Sequence, residues 1–504
     1  MKQYDLCVIG GGPSGYAAVA RALDFGLKVC LIEKNKLGGA GVFDGALSSK
    51  TLWELSEKVV TVNETINGSG KDKFTIEWSR AKSVMENAIH TRNAQYEEQI
   101  NKLHDESEEG HFTFINGWGS FVDKHTIKVT HEDGSSREIK ANYTIIATGS
   151  KPRTLPNIDI DEKMIMTSDG IHRLEEFPKS LVILGAGVIG CEFATIFSNF
   201  GKTKVFLIDR ANRVLPFEDE EISEMVANNL RAKGVVVHNE ANFSRMEIKD
   251  GKVEYEISYP QGMSQVIRVE KALISVGRIP NVEGLGLENA GVKLKGGTGT
   301  HILDDDTATN VDNIFCVGDV SGHIALVNVG EIEARHAVEK IVKKQSQPIS
   351  YENICTIMFL HPEVAAVGKN ETACIEAGLD FKVVKLNYSK IARAIAMQQT
   401  DGFFKIIVTD DDEMKILGMR AVGPHASSAI QAVGLLIKMD KGIEVLSELV
   451  LPHPSIIEGI QECVRILLNK PLFKTFAFKE HIQYYRVRNG KKEEISTEIK
   501  RVST

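Results

Sequence analysis

Two short glycine runs carry the residue types and spacings best suited to chemistry in this chain. The first is Gly10-Gly11-Gly12-Pro13-Ser14-Gly15 and the second is Gly185-Ala186-Gly187-Val188-Ile189-Gly190. Each follows an apolar run that reads as a strand, residues 4–9 and 181–184, and precedes a helix-like run. Each is followed by a second strand, 28–33 or 205–209, that ends in a carboxylate, Glu33 or Asp209. That grammar suits a dinucleotide. Gly10 or Gly185 permits the tight turn, Gly12 or Gly187 lets a pyrophosphate reach the backbone, and Gly15 or Gly190 lets helix and strand pack closely. The helix N-terminus then offers free N–H groups and a partial positive charge to phosphates. The acid accepts hydrogen bonds from ribose hydroxyls. One G-x-G-x-x-G alone is a weak signal; two copies in full context predict two nucleotide-binding domains. Asp209 favours NAD, because a carboxylate repels the 2′-phosphate of NADP. Arg210 and Arg213 follow closely and could accept that phosphate, so NADP stays open.

The elements that must position these residues can be read outward from them. Residues 50–65 and 80–105 read as helices with one polar face, and 112–147 as short strands punctuated by Gly119, Gly134 and Asn142. Strand-rich stretches recur at about 252–276 and 297–317. From about 348 a third region alternates strands, such as 403–408 and 416–422, with helices, such as 426–439 and 456–468. The tail, 471–504, is aromatic and charged; its alternation from 482 to 499 around Asn489-Gly490 predicts a hairpin, with a partly ordered tail as the alternative.

Composition narrows the class. At 504 residues the chain is long enough for about three domains. A hydrophobic fraction of 42% and a charged fraction of 25% are those of a soluble globular protein. The net charge of −8, with no long basic run, argues against nucleic acid as a partner. No run approaches the roughly 18 apolar residues of a membrane-spanning helix. The apolar run at Leu6 starts so early that no cleaved leader is expected. The 7 cysteines are scattered without a C-x-x-C pair, which suggests buried free thiols, a cytoplasmic setting and no metal site.

Further motifs make the chain resemble the pyridine nucleotide–disulfide oxidoreductases over about residues 3–470. Ala147-Thr148-Gly149-Ser150 is similar to the family's A-T-G-S crossover, and Val276-Gly277-Arg278-Ile279-Pro280-Asn281 to its V-G-R-x-P-N. Ile314-Phe315-Cys316-Val317-Gly318-Asp319 is similar to the second FAD signature, whose aspartate binds the ribityl chain. Leu360-His361-Pro362-Glu363-Val364-Ala365-Ala366-Val367-Gly368 is similar to the opening of the dimerisation domain. Within the group, the dihydrolipoamide dehydrogenases and soluble flavin transhydrogenases look most alike to this chain.

The resemblance implies an α/β fold with two Rossmann-like FAD/NAD(P)-binding domains plus a C-terminal α+β dimerisation domain. The implied boundaries are 1–150 with 283–347 for FAD, 151–282 for NAD(P), 348–470 for dimerisation, and 471–504 as an extension. It implies FAD and NAD(H) as cofactors, NADP(H) remaining possible, and a homodimer. FAD contacts are implied at Gly10, Gly12, Ser14, Gly15, Glu33, Lys34, Lys50, Gly119, Thr148, Gly149, Ser150, Gly318 and Asp319. Contacts to the nicotinamide dinucleotide, or at the domain junction, are implied at Gly185, Gly187, Gly190, Glu192, Asp209, Gly277 and Arg278.

One departure changes the expected chemistry. After the first acid the family reads G-G-T-C-L-N-V-G-C-I-P-S-K, whose two cysteines form the redox disulfide. Here the run is Gly38-Gly39-Ala40-Gly41-Val42-Phe43-Asp44-Gly45-Ala46-Leu47-Ser48-Ser49-Lys50. Gly38-Gly39, Gly45 and Ser49-Lys50 hold the register, so Gly41 and Ala46 take the cysteine positions. Residues 464–504 contain no cysteine to substitute for them. Dithiol exchange needs an attacking thiolate and a partner sulfur, so disulfide turnover by the family route is not expected. The resemblance also pairs Lys50 with Glu192 beside the flavin, and His453 with Glu458 as an acid–base pair. Ser455-Ile456-Ile457-Glu458 equally reads as a capping box, which leaves a catalytic or a scaffolding role open. The expected function is an FAD-dependent NAD(P)H oxidoreductase that passes hydride from NADH to FAD and on to a quinone, O₂ or another small acceptor. A flavin-dependent transhydrogenase, or a non-catalytic FAD/NADH-binding sensor or assembly protein, is the alternative.

Overall fold

The computed structural model describes residues 2–66, 73–105, 111–296, 301–343 and 347–495. It divides into two compact units, Met1–Arg210 with Gly234–Ile349, and Ala211–Lys233 with Ser350–Thr504.

In the first unit the strand Lys2–Ile9 runs between Val29–Glu33 and Ser136–Ile146, parallel to both. Phe112–Asn116 and Ile314–Cys316 extend that sheet in parallel on either side. Leu6, Cys7, Val8 and Ile9 are all buried, because a parallel strand covered on both faces needs a continuous apolar run rather than an alternating one. The chain leaves the central strand to one side and later returns on the other. The strand's C-terminal end is therefore a topological switch point, where open α/β sheets form their ligand crevice. The design repeats. Ser180–Leu184 runs between Lys204–Ile208 and Lys271–Ile274, again parallel, with Val236–His238 and Ile165–Thr167 outermost. An antiparallel sheet of Asn242–Lys249, Lys252–Ser258 and Ser264–Val269 packs Met246, Val253 and Tyr255 against Val182 and Ala272. The expected long helices are present as Ala46–Ile66 and Trp78–Asp105.

The second unit is built on a seven-stranded antiparallel sheet. Phe403–Thr409 lies between Ile416–Val422 and Phe381–Asn387. The helices Gln431–Lys438 and Glu458–Leu467 add Val433, Ile460, Val464 and Leu467 to a core with Val384, Phe404 and Ile406. The hairpin expected in the tail is present. Asn489 and Gly490 adopt φ of 49° and 71°, the left-handed pair that a two-residue turn requires. Ile482–Arg488 pairs with Phe381–Asn387 and with Lys491–Glu494, burying Ile482, Tyr484, Tyr485 and Val487. Residues 297–300 and 496–499 of the expected strand-rich stretches lie outside the described residues. The mixed α/β architecture agrees with the sequence reading. No helix among the described residues is long and apolar enough to cross a membrane.

Candidate cofactor and redox site

The two glycine runs fold into near duplicates. Gly10 has φ of 109°, and a Cβ there would sit 2.3 Å from the Ala147 carbonyl oxygen. Gly185 has φ of 105°, and its Cβ would sit 2.5 Å from the Ser275 carbonyl oxygen. A Cβ on Gly15 or Gly190 would come within 1.8 Å of the carbonyl oxygen of Gly10 or Gly185, so glycine is what lets each helix approach its strand. A Cβ on Gly12 or Gly187 would instead meet no protein atom within 4 Å. The backbone is bare at those two positions, at the N-termini of the helices Pro13–Asp24 and Val188–Phe200. Both cradles fit a pyrophosphate.

The two acids turn back onto their own glycine runs. Glu33 Oε2 accepts the Gly11 N–H at 2.6 Å and its Oε1 accepts that of Asn35 at 2.7 Å. Asp209 Oδ2 accepts the Ala186 N–H at 2.6 Å. Each carboxylate thus braces its own glycine turn. Arg210 is exposed, whereas Arg213 donates from Nη2 to the carbonyls of Pro216 and Glu218 at 3.2 and 3.0 Å. Lys34 lies over the Trp118 ring at 4.2 Å, next to Gly119, whose Cβ would touch Ile32 and Ile9 at 3.3 Å.

A polar network ties the crossover to the second FAD signature. Asp319 Oδ2 accepts the Ser150 hydroxyl at 2.5 Å. Arg278 donates from Nε to Ser150 Oγ at 2.8 Å and from Nη2 to the Ser150 carbonyl at 2.9 Å. Thr148 donates to the Asn281 carbonyl at 2.7 Å, and Gly149 and Gly277 make the turns with φ of 67° and 102°. Glu333 escaped the sequence reading. It is buried and accepts the Gly318 N–H at 2.7 Å, fixing the turn that presents Asp319. A Cβ on Gly318 would lie 2.7 Å from Ser14 Oγ, so Ser14 and Gly318 are neighbours. Glu333 is one of three glutamates in the helix Val327–Lys343, and nothing in the sequence marked it as the one that turns inward.

Lys50 and Glu192, 142 positions apart, are brought together: Nζ meets Glu192 Oε2 at 2.7 Å and Ser49 Oγ at 3.3 Å. Glu192 is buried, and 31% of the Lys50 side chain stays exposed. Gly41 falls in the short helix Gly39–Val42, and Ala46 opens the helix Ala46–Ile66. A Cβ on Gly41 would lie 2.6 Å from Cγ of Pro13, a rigid ring at the start of the first fingerprint helix. Of the cysteines, Cys355 is half-buried and the other six are buried, and all are free. Burial pushes the Cys191 thiol far up. Burial also raises the Asp44 and Asp169 carboxyls, against the pull of His172 and Arg278 respectively.

His453 Nδ1 lies 2.9 Å from Glu458 Oε1, and Glu458 Oε2 accepts the Ser455 N–H at 2.7 Å. The expected capping box therefore forms by half. The glutamate reaches back, but Ser455 Oγ is buried without a hydrogen-bond partner among the described residues. The regular helix begins at Glu458, later than the box predicts, because Ile456 and Ile457 are held in a turn. Burial alone would raise the Glu458 carboxyl, but the Ser455 N–H and His453 outweigh it and hold it below the usual range.

Residues 4–334 match the family described as pyridine nucleotide-disulphide oxidoreductase, and residues 354–464 match its dimerisation domain. The dihydrolipoyl dehydrogenase of Bacillus subtilis is 31% identical over 469 residues, covering 91% of this chain and 97% of that protein. That of Chlamydia pneumoniae is 32% identical over 474 residues, covering 94% and 98%. Among solved structures, LpdA from Mycobacterium tuberculosis superposes with a TM-score of 0.84 over 93% of this chain and 100% of its own, at 24% identity, which shows the fold alone. The HOCl-induced flavoprotein disulfide reductase RclA from Escherichia coli, as its Cu(II) complex, gives a TM-score of 0.80 at 25% identity, covering 93% and 100%.

Proposed function

We propose that this chain, which belongs to the pyridine nucleotide-disulphide oxidoreductase family, oxidises a nicotinamide dinucleotide, NADH before NADPH, and passes the electrons to a small acceptor that is not a disulfide. Its class is FAD-dependent and nicotinamide-linked, of the lipoamide dehydrogenase type. FAD, when bound, supplies a ring that takes hydride and gives electrons on.

The chain's own residues bind and orient. Gly12 and the helix behind it hold the FAD pyrophosphate, Glu33 the adenosine ribose, and Asp319 with Ser150 the ribityl chain. Gly187 and its helix hold the pyrophosphate of the nicotinamide dinucleotide, and Asp209 its ribose. Lys50, steadied by Glu192, places a positive charge where negative charge develops on the reacting ring. We assign residues 1–150 and 283–347 to FAD binding, 151–282 to the nicotinamide, 348–470 to a homodimer interface, and 471–504 to an added extension.

The observation that carries the acceptor assignment is the run from Gly38 to Lys50. It contains no cysteine, and at position 41 a Cβ would come within 2.6 Å of the Pro13 ring, so a side chain there would force a shift. Without an attacking thiolate and a partner sulfur, disulfide exchange has no first step.

The test is anaerobic addition of NADH to the purified yellow holoprotein. Rapid bleaching of the flavin band, reversed by a quinone such as menadione or by O₂, is the expected result. Turnover of lipoamide at a rate comparable to that of the quinone would overturn the assignment. Bound NADH without bleaching would leave a protein that senses cofactors rather than reacting with them. Reduction of thio-NADP would name a transhydrogenase.

A further inference from the structure

We infer that Asp44 and His172 form an acid–base pair that delivers the proton consumed when the acceptor is reduced; this rests on the reading of a non-disulfide acceptor above. Asp44 lies between the two positions that lack cysteine, 41 and 46, and His172 lies in the short helical turn Ser168–Arg173. Asp44 Oδ1 stands 3.7 Å from His172 Nδ1. That is too long for a direct hydrogen bond and suited to an ion pair that tightens or to one bridging water.

Both side chains reach two environments. They are 38% and 37% exposed, so each has access to solvent protons while part of each is desolvated. They line a small recess with Ser48, Ser49, Ser168 and Phe193 among its other walls. Ser49 and Phe193 are the immediate chain neighbours of Lys50 and Glu192, so the cavity backs onto that ion pair. The space it encloses is about that of one water molecule, far below the roughly 300–1,000 Å³ of pockets that enclose a small molecule. It therefore suits water or the edge of an acceptor, which is the requirement for proton delivery.

The charges facing Asp44 are His172 and Arg173 from the helical turn, Arg278 from the strand Arg278–Pro280, and Lys36 from the loop after Glu33. Asp169, which takes Arg278 Nη1 at 3.5 Å, is the nearby like charge. Burial lifts the Asp44 carboxyl and those cations draw it back. A carboxyl lifted toward the working pH is a better proton donor than one at its ordinary value.

The need for a proton follows from balance. NADH, a proton and a quinone give NAD⁺ and a hydroquinone. The nicotinamide C–H bond breaks, its hydride carries two electrons and one proton, and two O–H bonds form on the acceptor. The second proton must come from solvent. Lys50 is committed to Glu192 at 2.7 Å, and a sulfur that could hold the proton is absent from residues 38–50. Asp44 and His172 are the titratable groups that line the cavity.

The experiment uses the holoprotein and its Asp44→Asn, His172→Gln and His453→Gln variants, each checked for folding by thermal melting. The pH profile of kcat/KM for menadione is measured, with anaerobic bleaching by NADH as the internal reference. Asp44→Asn and His172→Gln should each cut menadione reduction about a hundredfold against that reference and shift the pH limb; His453→Gln tests the other acid–base pair as the proton donor. A second readout is independent of turnover: the Asp44 carboxyl, followed by ¹³C NMR, should titrate at higher pH in His172→Gln, because a neighbouring cation is gone. An unchanged pH profile in both cavity variants, or a limb that moves only with His453→Gln, overturns the assignment. A wild type that does not reduce menadione sinks the acceptor reading itself, and the carboxyl titration still decides whether the pair exists.

Discussion

Each unit of the molecule sets an ammonium against carboxylates, and the two constellations differ in what they leave open. In the first unit Lys50 meets one buried acid, Glu192, and keeps about a third of its side chain exposed. In the second, Lys405 is wholly buried and faces three acids, Asp219 at 2.5 Å, Glu221 at 2.6 Å and Glu371 at 2.8 Å. Lys385 also pairs with Glu221, and the Tyr485 hydroxyl donates to Glu371 at 2.7 Å. Asp219, Glu221 and Glu371 have the mutual spacing of a metal site, but the Lys405 ammonium supplies the cation. Burial would push Lys405 toward neutrality, and the three acids more than offset it, holding the group charged. The ammonium at its centre has no side left for a substrate, although Glu221 and Glu371 keep 30% and 22% of their side chains exposed. The difference lies in the cation: the Lys50 ammonium keeps a face open to a ligand, and the Lys405 ammonium keeps none.

The largest expected effect breaks the closed cluster. Lys405→Met would leave three carboxylates without their central cation and should cost about 3–5 kcal/mol. That is a large part of a domain's usual stability. A thermal melt indistinguishable from wild type would end the view of this cluster as scaffold. Lys50→Ala acts on the open pair. It should slow bleaching by NADH on the order of a hundredfold while lowering the melting temperature much less than Lys405→Met does. Equal thermal losses in the two variants would erase the contrast.

Tyr485→Phe sharpens the comparison, since it removes one hydrogen bond to a charged partner and keeps the ring. A loss of about 1.5–3 kcal/mol in denaturant unfolding is expected. A loss near zero would show that the extension is held by its strand pairing alone. The smallest effect is in pH. Burial alone would raise the Glu221 carboxyl, but Lys405 and Lys385 outweigh it and hold it below its ordinary 4.5. Its contribution is therefore complete above about that pH and is lost as the pH falls through the lower folded value. Circular dichroism of the wild type should show stability declining in acid, and the decline should be shallower in Lys405→Met; parallel curves would refute the coupling.

What could be read in advance was local. Both fingerprints, their acids and the Asn489-Gly490 hairpin are written within about thirty residues each, where strand, turn and helix follow from neighbouring side chains. The Lys50–Glu192 meeting was legible only through resemblance, because nothing in either helix points to the other. The Asp44–His172 pair, Glu333 beneath Gly318, and the acids around Lys405 were not legible. Lys405 inside the apolar strand Phe403–Thr409 went unread, although a charge in such a strand needs buried partners. The half-formed box at Ser455 shows the converse: local pattern named the glutamate's bond and overstated the serine's.

The sequence by itself determined the two nucleotide cradles, since the sign of a glycine φ, the free N–H groups of a helix start and the burial of a parallel strand are properties of short segments. It also determined that no sulfur stands between residues 38 and 50. Only the tertiary structure decided which charges meet, which of them stay open to solvent, and that a proline ring crowds position 41. Those outcomes depend on distances between residues far apart in the chain, and chain topology sets such distances, not residue type.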